Sequence, residues 1–426
     1  MPNILSNQFT RFGRFLRSPL FPIFMIVFVD VLGLGITIPV LPLYAQNIFG
    51  ATATQITLLS SAYFAAQFLA SPRLGRLSDR VGRRPVLILS QSGTFTALLV
   101  SGLAQSLPFL FLARTIDGLT GGNISVAQAY LSDITDEKNR ARGMGIVNAS
   151  FGSGFIFGPA FGALMAAHFG PRVPFFVAAA VSLVTILLSY FLLPESLTRE
   201  RRQPEAARRA SQPQLSAAER RSALLRAPGV ILIMVIALGG QLAFFSFQST
   251  WVLWAEQVLL VGYNPGFVQQ AVGFILTFVG VCGVITQAWL VGPLVRRFGE
   301  KAMVPAGTFA RGLAWGLMAA FPWVGLIVAV APLIAVGGGI SLPALIAMLT
   351  YAAPPGQRGY AIGTLESVQS LGRIVGPLLA GALFERVHPS APLAAAALIT
   401  ALTVVASFGL WQVKSSGVEP ERTASR

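Results

Sequence analysis

Cysteine is almost missing: Cys282 is the only one in 426 residues. No disulfide can form within the chain, and no Cys/His cluster can hold a structural metal. Histidine is nearly as scarce, with His168 and His388 alone, near the ends of two apolar runs. No nucleophile–base pair accompanies them, so an enzymatic role is not expected. No G-x-x-x-x-G-K-[ST] occurs, which argues against ATP-driven work by this chain. Neither a metal nor a cofactor is expected. The largest deficit is charge: 11% of the residues are charged, against about 25% in soluble domains. Such a chain has lipid as its main solvent.

What is present fits that solvent. Mean hydropathy is +0.68, and 54% of the residues are hydrophobic. A hydrocarbon core of about 30 Å needs roughly 20 apolar residues per helix. Twelve runs qualify, at about 20–46, 57–76, 85–105, 107–132, 143–167, 173–193, 228–255, 267–292, 302–320, 324–351, 359–384 and 392–413. The first is too long for a cleaved signal peptide and is expected to stay as a span. The fold class expected is therefore an all-α integral membrane protein of twelve transmembrane helices. The net charge of +15 invites a nucleic-acid reading, but its distribution argues against one. With the N-terminus in the cytoplasm, 26 of the 31 Lys and Arg fall on the cytoplasmic side. The opposite side has only Arg172 and Arg386, and Arg114, Arg311 and Arg373 lie inside spans. This is the positive-inside pattern, with both termini cytoplasmic. The basic excess reports topology and attraction to the bilayer.

The chain reads as two halves: a cytoplasmic N-terminal segment (1–19), a six-helix bundle (20–193), a polar linker (194–227), a second bundle (228–413) and a cytoplasmic tail (414–426). Within the first segment, 9–17 reads either as a short basic amphipathic helix or as a plain tail. Gly75 and Gly82 map onto Gly292 and Gly299 at an offset of 217. Arg140, Gly145, Gly154, Gly158 and Pro159 map onto Arg358, Gly363, Gly372, Gly376 and Pro377 at an offset of 218. Near-constant offsets across loops and spans indicate a duplicated six-helix unit. Parallel repeats of this kind hold substrate near the midplane between them. Arg296 replaces Asp79 in the second copy, so the halves are not equivalent.

The charges left inside spans are the candidate site. Asp30 lies about ten residues into the first span, roughly 15 Å deep. Asp117 is equally deep in the fourth span from the other side. Ionisable groups at such depth cost at least about 2.5–3.5 kcal/mol on insertion scales and mark function by default. An Asp in a cavity that opens alternately to each side can load and release a proton; the alternative is a static, paired carboxylate. Arg114 and Asp117 are three residues apart and share a helix face. Arg stays protonated, so Arg114 can bias a carboxylate but cannot carry the proton. Glu366 and Arg373, seven apart on the eleventh span, read either as cavity-lining or as a structural pair. Arg311 is expected to be structural or to reach the inner headgroups. On the seventh span, Phe244, Phe245, Phe247, Trp251 and Trp254 with Gln241 and Gln248 offer an apolar wall with a few hydrogen-bonding groups. The alternative places them in lipid and in an interfacial Trp belt.

Four motifs then stand in order. They are Asp30-Val-Leu-Gly33-Leu-Gly35-Ile-Thr-Ile-Pro39-Val-Leu-Pro42, the charged loop Gly75-Arg-Leu-Ser-Asp79-Arg80-Val-Gly82-Arg83-Arg84, Arg114-Thr-Ile-Asp117-Gly118, and Gly154-Phe-Ile-Phe-Gly158-Pro159-Ala-Phe-Gly162. Together they resemble the major facilitator superfamily of transporters, and within it the drug:proton antiporters of the tetracycline-resistance-like group. The resemblance covers nearly the whole chain. It implies two pseudo-symmetric six-helix bundles, alternating access, and a proton-coupling set of Asp30, Asp117, Arg114 and Glu366. It makes the 75–84 loop a conformational latch in which Asp79 faces the start of the eleventh span, near Arg358. Gly154, Gly158, Pro159 and Gly162 become a packing motif that seals against leak. The expected partners are a small-molecule substrate, protons and the lipid bilayer, with no nucleic acid. A monomer in a bacterial inner membrane is expected. Gln241, Phe245, Gln248 and Arg373 are the substrate-cavity candidates. Other readings are a same-fold carrier of a metabolite, sugar or lipid, and a membrane receptor or scaffold.

Overall fold

The structure is a computed structural model that describes residues 20–197, 216–354 and 356–412. The basic stretch 9–17, the Arg-rich part of the linker and the tail 414–426 lie outside the described residues. Among the described residues every regular element is helical. A helix pairs its own backbone groups, which is what lipid requires.

Helices α1 (Leu20–Phe49), α2 (Ala53–Val81) and α3 (Arg83–Leu103) form the first three spans. The fourth is made of α4 (Leu107–Thr120) and α5 (Asn123–Ile134), parted at Gly121–Gly122. α6 (Glu137–Phe169) and α7 (Val173–Leu192) complete the first half. In the linker, α8 (Ala217–Arg226) starts at a capping box between Ser216 and Glu219. The second half consists of α9 (Val230–Trp254), α10 (Pro265–Ile285), α11 (Val291–Phe298), α12 (Glu300–Ala320), α13 (Val324–Ala352), α14 (Arg358–Arg386) and α15 (Ala391–Ser407). Single π-helical turns follow α9 at Ala255–Leu259 and α10 at Thr286–Leu290.

All twelve expected spans are helical. Nine stretches among the described residues are long and apolar enough to cross a membrane unaided. The other three fall short for local reasons. The second span is rich in Thr, Ser and Gln and ends in Arg73, Arg76, Asp79 and Arg80. The fourth is two short pieces. The ninth contains Glu300, Lys301 and Arg311. Spans like these depend on neighbouring helices to shield their polar positions.

The Gly75–Arg84 run is not the open loop expected from the sequence. α2 continues through Val81, and the turn is the single residue Gly82 at φ 113°. Gly299 repeats the device at φ 75° between α11 and α12. Only glycine enters this region without strain. The repeat is thus visible in backbone conformation as well as in sequence.

The chain forms two compact units. The first comprises Met1–Gln212, Ser249–Val281 and Ala380–Pro389. Its core is built on Ile23, Ile26, Val27, Leu87, Val126 and Tyr130. Buried Gln91 and Ser189 exchange hydrogen bonds of 3.0 and 3.1 Å between α3 and α7. Segments from late in the chain close on early ones here. Glu385 accepts hydrogen bonds from the Thr54 N–H at 2.7 Å and the Thr54 hydroxyl at 2.8 Å, capping the first turn of α2. Gln46 donates to Glu256 at 2.8 Å. The second unit comprises Pro213–Gln248, Cys282–Leu379 and Ser390–Arg426. Its core includes Ile233, Met303, Val304, Leu345 and Leu349. α12 and α13 meet backbone to backbone, and a Cβ on Gly307 would lie 2.6 Å from the Gly337 carbonyl oxygen. Phe191, Trp289, Leu398, Leu402 and Val405 are each more than 60% exposed, as side chains bathed in lipid should be.

Candidate functional site

The break in the fourth span is the centre of the site. Gly121 and Gly122 end one helix and start another. The Gln67 amide donates to the Gly121 carbonyl at 3.0 Å, pairing a backbone acceptor that the break would strand. Asn123, the first residue after the break, donates from Nδ2 to Asp30 Oδ1 at 2.8 Å. The first span's acid is therefore tied to the lower half of the fourth span. On the upper half, Arg114 Nη1 lies 3.1 Å from Asp117 Oδ2. Its guanidinium stacks 4.2 Å from the centre of the Tyr63 ring. Thr94 donates to Asp117 Oδ1 at 3.1 Å. Asn123 Oδ1 and Arg114 Nε are enclosed without hydrogen-bond partners. The site thus has one unpartnered acceptor and one unpartnered donor.

The glycine motif holds the first span in place. A Cβ on Gly158 would lie 2.8 Å from the Gly35 Cα, and one on Gly154 would lie 2.8 Å from the Val31 Cβ. One on Gly162 would lie 3.0 Å from the Ile36 Cα. The fifth span therefore touches the first along the turns that follow Asp30, which only small residues permit. Pro159 has no N–H to donate to the Phe155 carbonyl. Gly280 of α10 comes up against that oxygen, 3.0 Å from where its Cβ would be. Thr277 donates to the Ile156 carbonyl at 3.2 Å on the same side.

The residues expected to form the latch are joined into a network inside the first unit. Arg83 reaches Asp79 at 2.6 Å, Asp133 at 3.1 Å and the Ser78 hydroxyl at 2.6 Å. Glu195 accepts from the backbone N–H groups of Arg83 and Arg84 at 2.8 and 3.2 Å, capping α3. Arg84 donates to the Tyr190 carbonyl. Arg80 is exposed, and the space beside Gly75 is open.

In the second unit, Arg373 pairs with Glu366 at 3.3 Å, with the Glu366 side chain 54% exposed. Gly372 and Gly376 pack on α9 as Gly154 and Gly158 pack on α1. Their Cβ atoms would lie 2.8 Å from the Gln241 Cβ and 2.9 Å from the Leu242 carbonyl. Gln241, Phe245 and Gln248 are partly buried along α9. Trp251 and Trp254 belong to the first unit and are buried and stacked, their ring centres 5.6 Å apart. This corrects their alternative reading as an interfacial belt: they fill a core. Cys282 is only partly buried.

Asn123, Thr94, Tyr63, Asp133 and Glu195 did not stand out in the sequence. Polar residues of these types are common in any chain, and only the fold brings them to the charged groups. The Gly121–Gly122 pair inside a span was the one local signal for Asn123.

A family profile described as the Major Facilitator Superfamily matches residues 23–269 and 242–425. The chain is similar to the Tetracycline resistance protein, class C, of Escherichia coli, 34% identical over 360 residues that span 84% of this chain and 87% of that one. It is similar to Multidrug resistance protein 2 of Bacillus subtilis (strain 168), 29% identical over 84% of this chain and 87% of that one. Its fold is shared with the solved nucleoside transporter NupG, with a TM-score of 0.74 at 14% identity, covering 93% of this chain and 100% of that one. It is shared too with the human organic anion transporter MFSD10 (TETRAN), with a TM-score of 0.65 at 23% identity over 91% and 98% of the two chains.

Proposed function

Because the chain belongs to the Major Facilitator Superfamily, we propose that it is a proton-coupled antiporter exporting hydrophobic or amphiphilic drug-like compounds by alternating access. Relatives named for tetracycline and multidrug resistance support the substrate class. The observation that carries the mechanism is the hydrogen bond from Asn123 to Asp30. It joins a midplane acid of the first span to the break in the fourth, and discontinuous helices are where transporters place their ion sites. Asp30 is the proton carrier. Asp117 and Arg114 form the adjacent charge pair that responds when Asp30 changes state. Glu366, with Arg373, serves the second half of the path, and Gln241, Phe245 and Gln248 line the substrate cavity.

The rocking bodies are the bundles 20–193 and 228–413, connected by the linker 194–227. Asp79, with Gly75, Arg80, Gly82, Arg83 and Arg84, latches the cytoplasmic side by facing the start of the eleventh span. Gly154, Gly158, Pro159 and Gly162 keep the first and fifth spans sealed. The protein works as a monomer in a bacterial inner membrane, with both termini cytoplasmic.

The test uses protein reconstituted in vesicles with a trapped pH dye. Tetracyclines, lipophilic cations and fluoroquinolones are added across an imposed proton gradient. Compound-triggered proton movement is expected in wild type and absent in Asp30→Asn. Movement that survives Asp30→Asn removes Asp30 from the path; no movement with any compound removes the exporter reading.

A further inference from the structure

Among the described residues, Arg311 is a cation without a counter-charge. It lies eleven residues into α12, roughly 16 Å along the helix axis, too deep for its side chain to reach the headgroups. Its Nε is enclosed without a hydrogen-bond partner. Among the described residues no carboxylate pairs with Arg311, unlike Arg83, Arg114 and Arg373. Its one close electronic neighbour is the Trp315 ring, 5.8 Å from the guanidinium carbon. The Trp315 indole N–H is itself buried without an acceptor. Donors are in surplus here, and acceptors are missing.

The surroundings are shaped to leave room at the guanidinium. A Cβ on Gly240 of α9 would sit 3.4 Å from Arg311 Nη2. On α13, a Cβ on Gly337 would sit 2.6 Å from the Arg311 Cγ, and one on Gly338 would sit 4.0 Å from its Cδ. All these residues belong to the second unit.

The internal repeat explains what is missing. Gly154 meets Val31 and the Leu32 N–H, while Gly372 meets Gln241 and the Leu242 N–H. Gly158 meets the Leu32 carbonyl, while Gly376 meets the Leu242 carbonyl. Packing therefore equates Val31 with Gln241 and Leu32 with Leu242, so Gly240 stands where the first half has Asp30. At the offset of 217, Arg311 stands where the first half has Thr94, the residue that holds Asp117. One copy of the repeat has an acid, Asp30, and a threonine bonded to a second acid at these positions. The other has a cation aimed at a glycine.

An unpaired guanidinium in a span is costly and is retained for a function. We propose that Arg311 is the receptor for an oxyanion of the transported compound, a carboxylate or enolate on an aromatic or apolar body. This rests on the exporter reading and narrows its substrates to amphiphilic organic anions and zwitterions. The planar fork of Arg suits two oxygens of one group. The empty side of Gly240 gives the oxyanion its place, where the first half keeps a carboxylate of its own.

The test is direct binding in nanodiscs of phosphatidylcholine. Energy transfer from tryptophan reports binding of pyrenebutyrate, its methyl ester, and the matching pyrenyl trimethylammonium. Wild type is expected to bind the acid at least about tenfold more tightly than the ester, as a charge-assisted pair requires. Arg311→Gln is expected to lose that preference with ester binding unchanged, and Arg311→Lys to keep part of it. Gly240→Asp, which supplies an internal carboxylate at the guanidinium, is expected to abolish the preference with Arg311 still present. It carries the test if Arg311→Gln does not fold. Equal binding of acid and ester in wild type, or a preference that survives both variants, overturns the proposal. A preference lost in phosphatidylglycerol, beyond the change in surface potential that the trimethylammonium probe reports, would assign the site to the lipid headgroup, which also overturns it. Acid-selective binding without proton flux in vesicles would keep the receptor and reject the exporter; flux without acid selectivity would do the reverse.

Discussion

A carboxyl that carries a proton must be tolerated by its neighbours in both of its states. The cage around Asp30 meets that demand through a neutral donor. The Asn123 amide can hydrogen-bond to a carboxylate and to a protonated carboxyl, whereas a cation would strongly prefer the first. Asp117 is tied to Arg114 and Thr94, so any proton it takes must first loosen an ion pair. In the proposed mechanism that asymmetry gives the two acids different work. Asn123→Leu removes the amide with little change in volume. It is expected to cut compound-driven proton flux by roughly tenfold, a loss of the size that one buried hydrogen bond to a charged group accounts for. The trapped-dye vesicle assay measures it. Undiminished flux would mean that Asp30 does not depend on this contact.

At the scale of elements, helix contacts with no room for a methyl group dominate. Gly158→Ala would place its Cβ against backbone atoms of Gly35, which cannot rotate aside. Overpacking of this kind costs about 1–3 kcal/mol. Gly376→Ala meets backbone on α9 in the same way and should cost as much. Gly145→Ala is the control, because nothing lies within 4 Å of its added methyl. Thermal melting in detergent should place the first two variants several degrees below wild type, with Gly145→Ala at or slightly above it. If Gly158→Ala melts with wild type, the first and fifth spans are not in backbone contact.

For the whole molecule, the arginines predict the orientation. Cys282 is the only thiol, so a Cys282→Ser chain accepts single reporter cysteines. Gln105→Cys, between α3 and α4, should react with an impermeant maleimide in intact cells. Arg297→Cys, at the end of α11, should react only after permeabilisation. The opposite labelling would invert the topology. The twelve spans and the repeat were legible in the sequence because they rest on hydropathy and on glycines at fixed offsets. The charged run at 75–84 was legible as a feature but not as a helix end, because a long helix that leaves the bilayer loses its apolar pattern before it loses its hydrogen bonds. Asp30, Arg114 and Asp117 announced themselves by being charged in lipid. Asn123, Tyr63 and Glu195 could not, since their importance comes from what the fold sets beside them. Gly240 was invisible for a stronger reason: its meaning is an absence, apparent only when the two copies are laid over each other.

The parted fourth span has a mechanical consequence. Its upper piece is pinned where Gly118 presses on the Tyr63 carbonyl. Its lower piece is pinned where the Tyr130 hydroxyl bonds to the Pro194 carbonyl at 2.9 Å. Between them, the two glycines act as a joint in a rod clamped at both ends. A small tug from Asp30 on Asn123, just below the joint, can swing the lower arm without bending a helix. With Asp30 as the proposed proton carrier, a proton's arrival would be converted into leverage, where a continuous helix could answer only by resisting.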